Sequence, residues 1–147
     1  MADFIFDSFT EDIGDGTIDM DNDTFMVALF TNEALPASTY SSYDTGGAGV
    51  GLTADKTEVA NGNGYTTGGV ALASVTWSQA AGTCTFDAAD SEWTAATFAA
   101  RYAVIYSTTA AANELVCLID FGAEKTVTAG TFTITWNASG IFTLAQA

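Results

Sequence analysis

Residues 131–144 read TFTITWNASGIFTL. Two alternating runs flank four small or polar residues, Asn137–Gly140. A period of two puts Phe132, Ile134 and Trp136 on one side of a strand and Thr131, Thr133 and Thr135 on the other. One face is then buried and one wet, as in an antiparallel sheet exposed on one side. The pattern predicts a closing β-hairpin turning at Asn137–Gly140, with Gly140 at a positive φ.

Working back from that hairpin, strand-like runs recur at short intervals. LVCLIDFG (115–122), AARYAVIYS (99–107), GTCTFDA (82–88) and VALASVTW (70–77) each read as a strand. In AARYAVIYS, Tyr102, Val104 and Tyr106 share one face, and Arg101, Ala103 and Ile105 the other. Both faces are largely apolar, which predicts a central strand. Thr24–Thr31, within GTIDMDNDTFMVALFTN, is a continuous β-rich run that predicts another strand buried on both faces. Residues 37–69 are rich in Gly, Ser, Thr and Asn, and predict a long functional or mobile loop, broken by a weak strand at Lys56–Ala60. NGNG at Asn61–Gly64 marks a tight turn. At the other end, Phe4, Ile5, Phe9 and Ile13 fit either an extended arm or a short helix over residues 1–13. The expectation is one all-β domain over 1–147, an antiparallel β-sandwich of jelly-roll-like character rather than a βαβ fold.

Composition narrows function more than it names one. Of 147 residues, 48% are hydrophobic and 14% charged, which argues against a disordered chain. No apolar run approaches the roughly 18 residues of a membrane span. MADFIFDSFTEDIGDG has neither a basic region nor a continuous apolar stretch, so no signal peptide is read and a cytosolic origin is expected. Eighteen carboxylates face only Lys56, Arg101 and Lys125, for a formal charge of −15. Nucleic-acid binding rests on Lys and Arg neutralising phosphates, and an anionic lipid surface repels such a chain too, so neither partner is expected. Half the carboxylates lie between Asp3 and Glu33, where no basic residue occurs. Such a skew suits a solvated face, docking onto a basic partner surface, or a divalent cation.

Candidate chemistry is sparse. With no histidine, the commonest general base is missing, and with it any Ser-His or Cys-His pair. No helix and no phosphate-reaching lysine is expected after the glycines at 46–51 and 62–69. Two carboxylates suffice for glycoside hydrolysis, yet among eighteen some pair is expected by chance. Asp19, Asp21 and Asp23 form a D-x-D-x-D run, but Thr24 and Phe30 stand where an EF-hand needs Gly and Glu. FDAADSEW (86–93) either gathers Asp87, Asp90 and Glu92 beside Trp93 for a cation or sugar, or uses Phe86 and Trp93 to anchor a turn. Cys84 and Cys117 read as two buried thiols without a metal or catalytic partner. Tyr40, Tyr43 and Tyr65 lie in the polar region, as interface residues or as satellites of the core. No enzyme, cofactor or metal is expected.

NGNGYTTGGVAL (61–72), FDAADSEWTAATFAARYAVIY (86–106), LVCLIDFG (115–122) and TFTITWNASGIFTL (131–144), with GDGTIDMDNDTFMVALFTN (14–32), carry a resemblance. Together they resemble a family of small structural proteins encoded by tailed bacteriophages, over roughly residues 10–145, with 33–60 the least matched. The resemblance implies a virion component, assembled in the host cytoplasm: a capsid decoration or cement protein bridging major capsid protein subunits. Attachment to another virion protein of the tail, collar or fibre, or a glycan-binding module there, is the alternative. A homo-oligomer is expected, a trimer about a local threefold. The expected contacts come from the acidic Asp3–Glu33 region, with Phe4, Phe6 and Phe9, and from the Ala37–Gly69 loop, with Tyr40, Tyr43 and Tyr65.

Overall fold

A computed structural model describes residues 2–146. In chain order its elements are β1 (Phe4–Ile5), α1 (Phe9–Asp15), β2 (Phe25–Phe30), α2 (Leu52–Asp55), β3 (Val70–Ala71), β4 (Thr76–Ala80), β5 (Thr83–Asp87), β6 (Ser91–Ser107), β7 (Leu115–Ile134) and β8 (Phe142–Ala145). Five strands form one sheet in the order β1-β7-β6-β2-β3, and three form a second in the order β4-β5-β8. Every pairing is antiparallel, and the two sheets pack together as the expected sandwich.

The reading of AARYAVIYS holds. β6 runs between β7 and β2, and its side chains divide as the alternation requires. Ala103 and Ile105 join Phe25, Val27 and Leu29 of β2 in a core that continues into Phe86 and Phe142 of the second sheet. Tyr102, Val104 and Tyr106 enter a separate core on the opposite face, with Ala28, Phe30, Leu115 and Leu118. β2 is likewise buried on both faces.

What covers the second face is the segment read as a free loop. Tyr40, Tyr43 and Leu52 of that segment lie over the sheet, with Phe6 beside them. α2 replaces part of the loop, a four-residue helix directly after the glycines at 46–51, where none is expected. In place of a strand at Lys56–Ala60 there is a single antiparallel bridge, Phe30 with Glu58. The NGNG turn is present, with Gly62, Asn63 and Gly64 all at positive φ. The described part of the N-terminal region, residues 2–13, holds both strand and helix: Phe4 and Ile5 pair with Leu118 and Cys117, and Phe9 starts α1.

The closing hairpin is overturned. Its two halves belong to different sheets: Ile134 pairs with Ser91 of β6, whereas Phe142 pairs with Phe86 of β5. The inward parity of Phe132, Ile134 and Trp136 survives, since all three are buried. The chain instead turns a corner of the sandwich at Asn137–Gly140. The Trp136 backbone N–H donates to Asp90 Oδ1 at 3.0 Å, and its indole N–H to the Ala89 carbonyl at 3.0 Å. These bonds tie the corner to the neighbouring one between β5 and β6. At Gly140 (φ +96) an added Cβ would stand 2.9 Å from the Phe86 carbonyl oxygen. VALASVTW is divided the same way, β3 pairing with β2 and β4 with β5, across a kink at Ser74 (φ 52). FDAADSEW is the turn anchored by buried Phe86 and Trp93.

The loop also presses its backbone on the sheet. At Gly69 (φ +83) an added Cβ would stand 1.8 Å from the Val27 carbonyl oxygen, whereas at Gly122 (φ +78) it meets nothing within 4 Å. Gly69→Ala should therefore cost about 3 kcal/mol or more, clash adding to strain, and Gly122→Ala only about 1–2 kcal/mol of left-handed strain. Urea denaturation of the two variants measures the difference; equal losses would contradict this packing.

Candidate functional site

The six candidate contact residues are mostly interior. Phe9 is 0% exposed, Phe6 1%, Tyr65 2%, Tyr43 6% and Tyr40 9%, while Phe4 is half-buried against Phe6. Their surface is largely spent on the chain's own fold, and for the three tyrosines the core-satellite alternative describes the burial found. Trp93 (2% exposed) stacks near Tyr65 inside the core, which removes the sugar-stacking face that a glycan site there requires.

The tyrosines converge on a residue that the sequence reading passed over. Glu58 Oε1 accepts from the Tyr65 hydroxyl at 2.6 Å and from the Gly68 N–H at 2.7 Å, and Oε2 accepts from the Tyr43 hydroxyl. Tyr65 in turn accepts the Leu29 N–H at 2.9 Å. Tyr43 stacks on Tyr106, centroids 4.2 Å apart, and Tyr106 donates to the Gly68 carbonyl at 2.8 Å. Nearby, Asp55 accepts from the Tyr40 hydroxyl and the Gly49 N–H. One signal was available: Glu58 is the sole carboxylate between Asp55 and Asp87, placed among tyrosines and glycines. The arrangement clamps the covering segment.

The acidic clusters mostly bind their own backbone. Asp19 accepts from the Asp21 and Asn22 N–H groups and from the Asn22 amide, and these bonds hold it below the usual carboxylate range, the Asn22 amide first. Asp23 accepts from Ser107 and Asp90 from Trp136. Among the described residues no three His, Cys, Asp or Glu side chains come together as metal ligands. Cys117 is buried and Cys84 half-buried, both free, so only the first matches the expected buried thiol. Arg101 is bound to Asp120 at 3.1 Å, which holds that carboxyl low.

Among the described residues one surface depression, about 430 Å³, is lined by Gln79, Gly82, Cys84 and Leu144, and there are two others. One, about 400 Å³, runs along β7 past Phe121, Val127 and Phe132 with a threonine rim. The other, about 350 Å³, opens beside β4: Ile13, Ile18, Met20 and Trp77 line it, with Asp19 and Asp21 alongside. No protein-family model, curated protein or solved structure matches this chain.

Two outcomes follow from the Glu58 clamp. Glu58→Gln replaces one acceptor by a donor and should lower stability by about 2–4 kcal/mol in urea denaturation. Burial first, then the Glu58 charge, pushes Tyr43, Tyr65 and Tyr106 above the ordinary tyrosine value of 10.0. Raised folded values make their stabilisation complete below pH 10.0 and lost as pH rises beyond it, because the unfolded chain ionises first. Absorbance at 295 nm should therefore show these three ionising only together with alkaline unfolding; independent ionisation of the folded chain would contradict the clamp.

Proposed function

We propose that the chain is a non-enzymatic structural protein of a tailed-bacteriophage virion, a decoration or cement protein that stabilises the head exterior by bridging capsid subunits. The observation that carries this reading is how the molecule divides its residues. All five tyrosine hydroxyls donate to acceptors within the chain, and large apolar side chains are almost all interior. What faces outward is small, polar and acidic, in a chain of eighteen carboxylates and three cations. That surface is repelled by packaged nucleic acid and compatible with the outside of a protein shell. The resemblance read from the sequence over roughly residues 10–145 is what suggests this class of protein.

Docking by a shape needs area more than reactive groups. A specific interface buries about 1,200–2,000 Å², and copies arranged about a threefold would add avidity. The folded N-terminal region changes how this is tested. Removing residues 1–12 would strip Phe6 and Phe9 from the cores, each worth about 1.5–3 kcal/mol of burial. That truncation reports on folding and not on docking.

The test is the chain's place in purified particles. Quantitative mass spectrometry should find it in copy number tied to the capsid subunits, and particles lacking it should release their genome at lower temperature. Its absence from particles, or a copy number set by tail symmetry, would overturn the capsid assignment.

A further inference from the structure

The side of the sandwich where β4 ends the three-stranded sheet carries features that the fold does not use. β4 pairs only with β5 among the described residues. The two strands are joined by a two-residue turn, Ala81 (φ 49) and Gly82 (φ 82). In such a hairpin the closing pair, here Ala80 with Thr83, exchanges hydrogen bonds, and pairs then alternate along the ladder. Ala80, Ser78 and Thr76 therefore turn their N–H and C=O groups toward β5. Trp77 and Gln79 turn theirs outward, to a free edge.

Beside that edge lies the 350 Å³ groove. Its apolar part is made by Ile13, Ile18, Met20 and the half-buried Trp77 ring, and Asp19 and Asp21 stand beside it. Charge selects the occupant. The nine carboxylates from Asp3 to Glu33 have no cation among them, and β4 itself, TWSQA, has none. A second copy presenting the same edge would bring acid against acid. A lysine or arginine fits both halves of the groove, its methylene stem on the apolar part and its charged head at the carboxylates.

We propose that this edge captures an extended basic segment of a protein partner. The segment adds as a fourth strand through the backbone groups of Trp77 and Gln79 and sets one Lys or Arg into the groove against Asp19 and Asp21. Main-chain bonds supply affinity and the groove supplies selectivity, as in other cases of strand addition. This deepens the docking reading above, on which it rests for the existence of a protein partner.

The probe is a synthetic alternating Val-Lys peptide of about eight residues, with a Val-Glu peptide and a backbone N-methylated Val-Lys peptide as controls. Isotope-labelled protein is followed by amide hydrogen exchange and titration. The Val-Lys peptide should bind saturably and slow exchange at Trp77 and Gln79 about tenfold or more, while Ser78, already bonded to β5, stays unchanged. Asp21→Lys, at an exposed side chain that holds no other group, should weaken binding about tenfold or more. The N-methylated peptide should give no protection. Absence of saturable binding, binding without protection at Trp77 and Gln79, or native affinity in Asp21→Lys would each overturn the inference. So would self-association through β4. A chain that captures the peptide yet is absent from virions overturns the virion reading alone. Virions coated equally by native and Asp21→Lys chains overturn this one alone.

Discussion

The two-sided burial of β6 is the constraint from which the rest of the molecule follows. A strand with Tyr102, Val104 and Tyr106 on one face and Ala103 and Ile105 on the other cannot leave either face wet. The three-stranded sheet and α1 cover one side. The other is covered by irregular chain, which brings backbone polar groups near an apolar surface, where unpaired groups are costly. Glu58 and Asp55 answer that cost by collecting N–H and O–H donors from the covering segment. The sheet's second face is thus apolar at its centre and tied down by carboxylates.

Parity within each strand was legible because it depends only on period two. The alternation of β6 and the inward set Phe132, Ile134 and Trp136 appear as read. Which sheet a run joins is not encoded in its period. VALASVTW and TFTITWNASGIFTL each read as continuous, yet each is cut by a corner with a distant partner: the Ala89 N–H on the Ala73 carbonyl at 2.8 Å in the first, Asp90 reaching Trp136 in the second. The tyrosines of residues 37–69 were ambiguous for a related reason. Local composition there is that of a loop, and only the unclaimed face of β6 shows why the aromatics turn inward. Of the candidate contacts, none of the fully buried ones was recognisable as interior without that face. Glu58 stood out by isolation, but its three donors come from positions seven to fifteen residues away.

Once the aromatics are assigned to the interior, the outer surface has a simpler character. Its acidity is uneven: the region before Glu33 carries half the carboxylates, and the only cation on the β7 half of the long ribbon, Lys125, lies on the far part of the chain. Short edge strands at β1 and β3 leave little to pair with on the large sheet. β4, five residues long, is a more open edge, and it is the one bordered by acid and an apolar groove.

The corners also govern the order in which the molecule can be built. β5 waits for β8, some sixty residues later on the chain, and β1 waits for Leu118 and Cys117. During vectorial synthesis neither sheet can close until the greater part of the polypeptide has left the ribosome. β2 and the tyrosine-rich cover remain without their central strand until β6 has been made. Such distant pairings place the chain among the slow folders, in the range of milliseconds to seconds, with transient apolar surface for chaperones to shield.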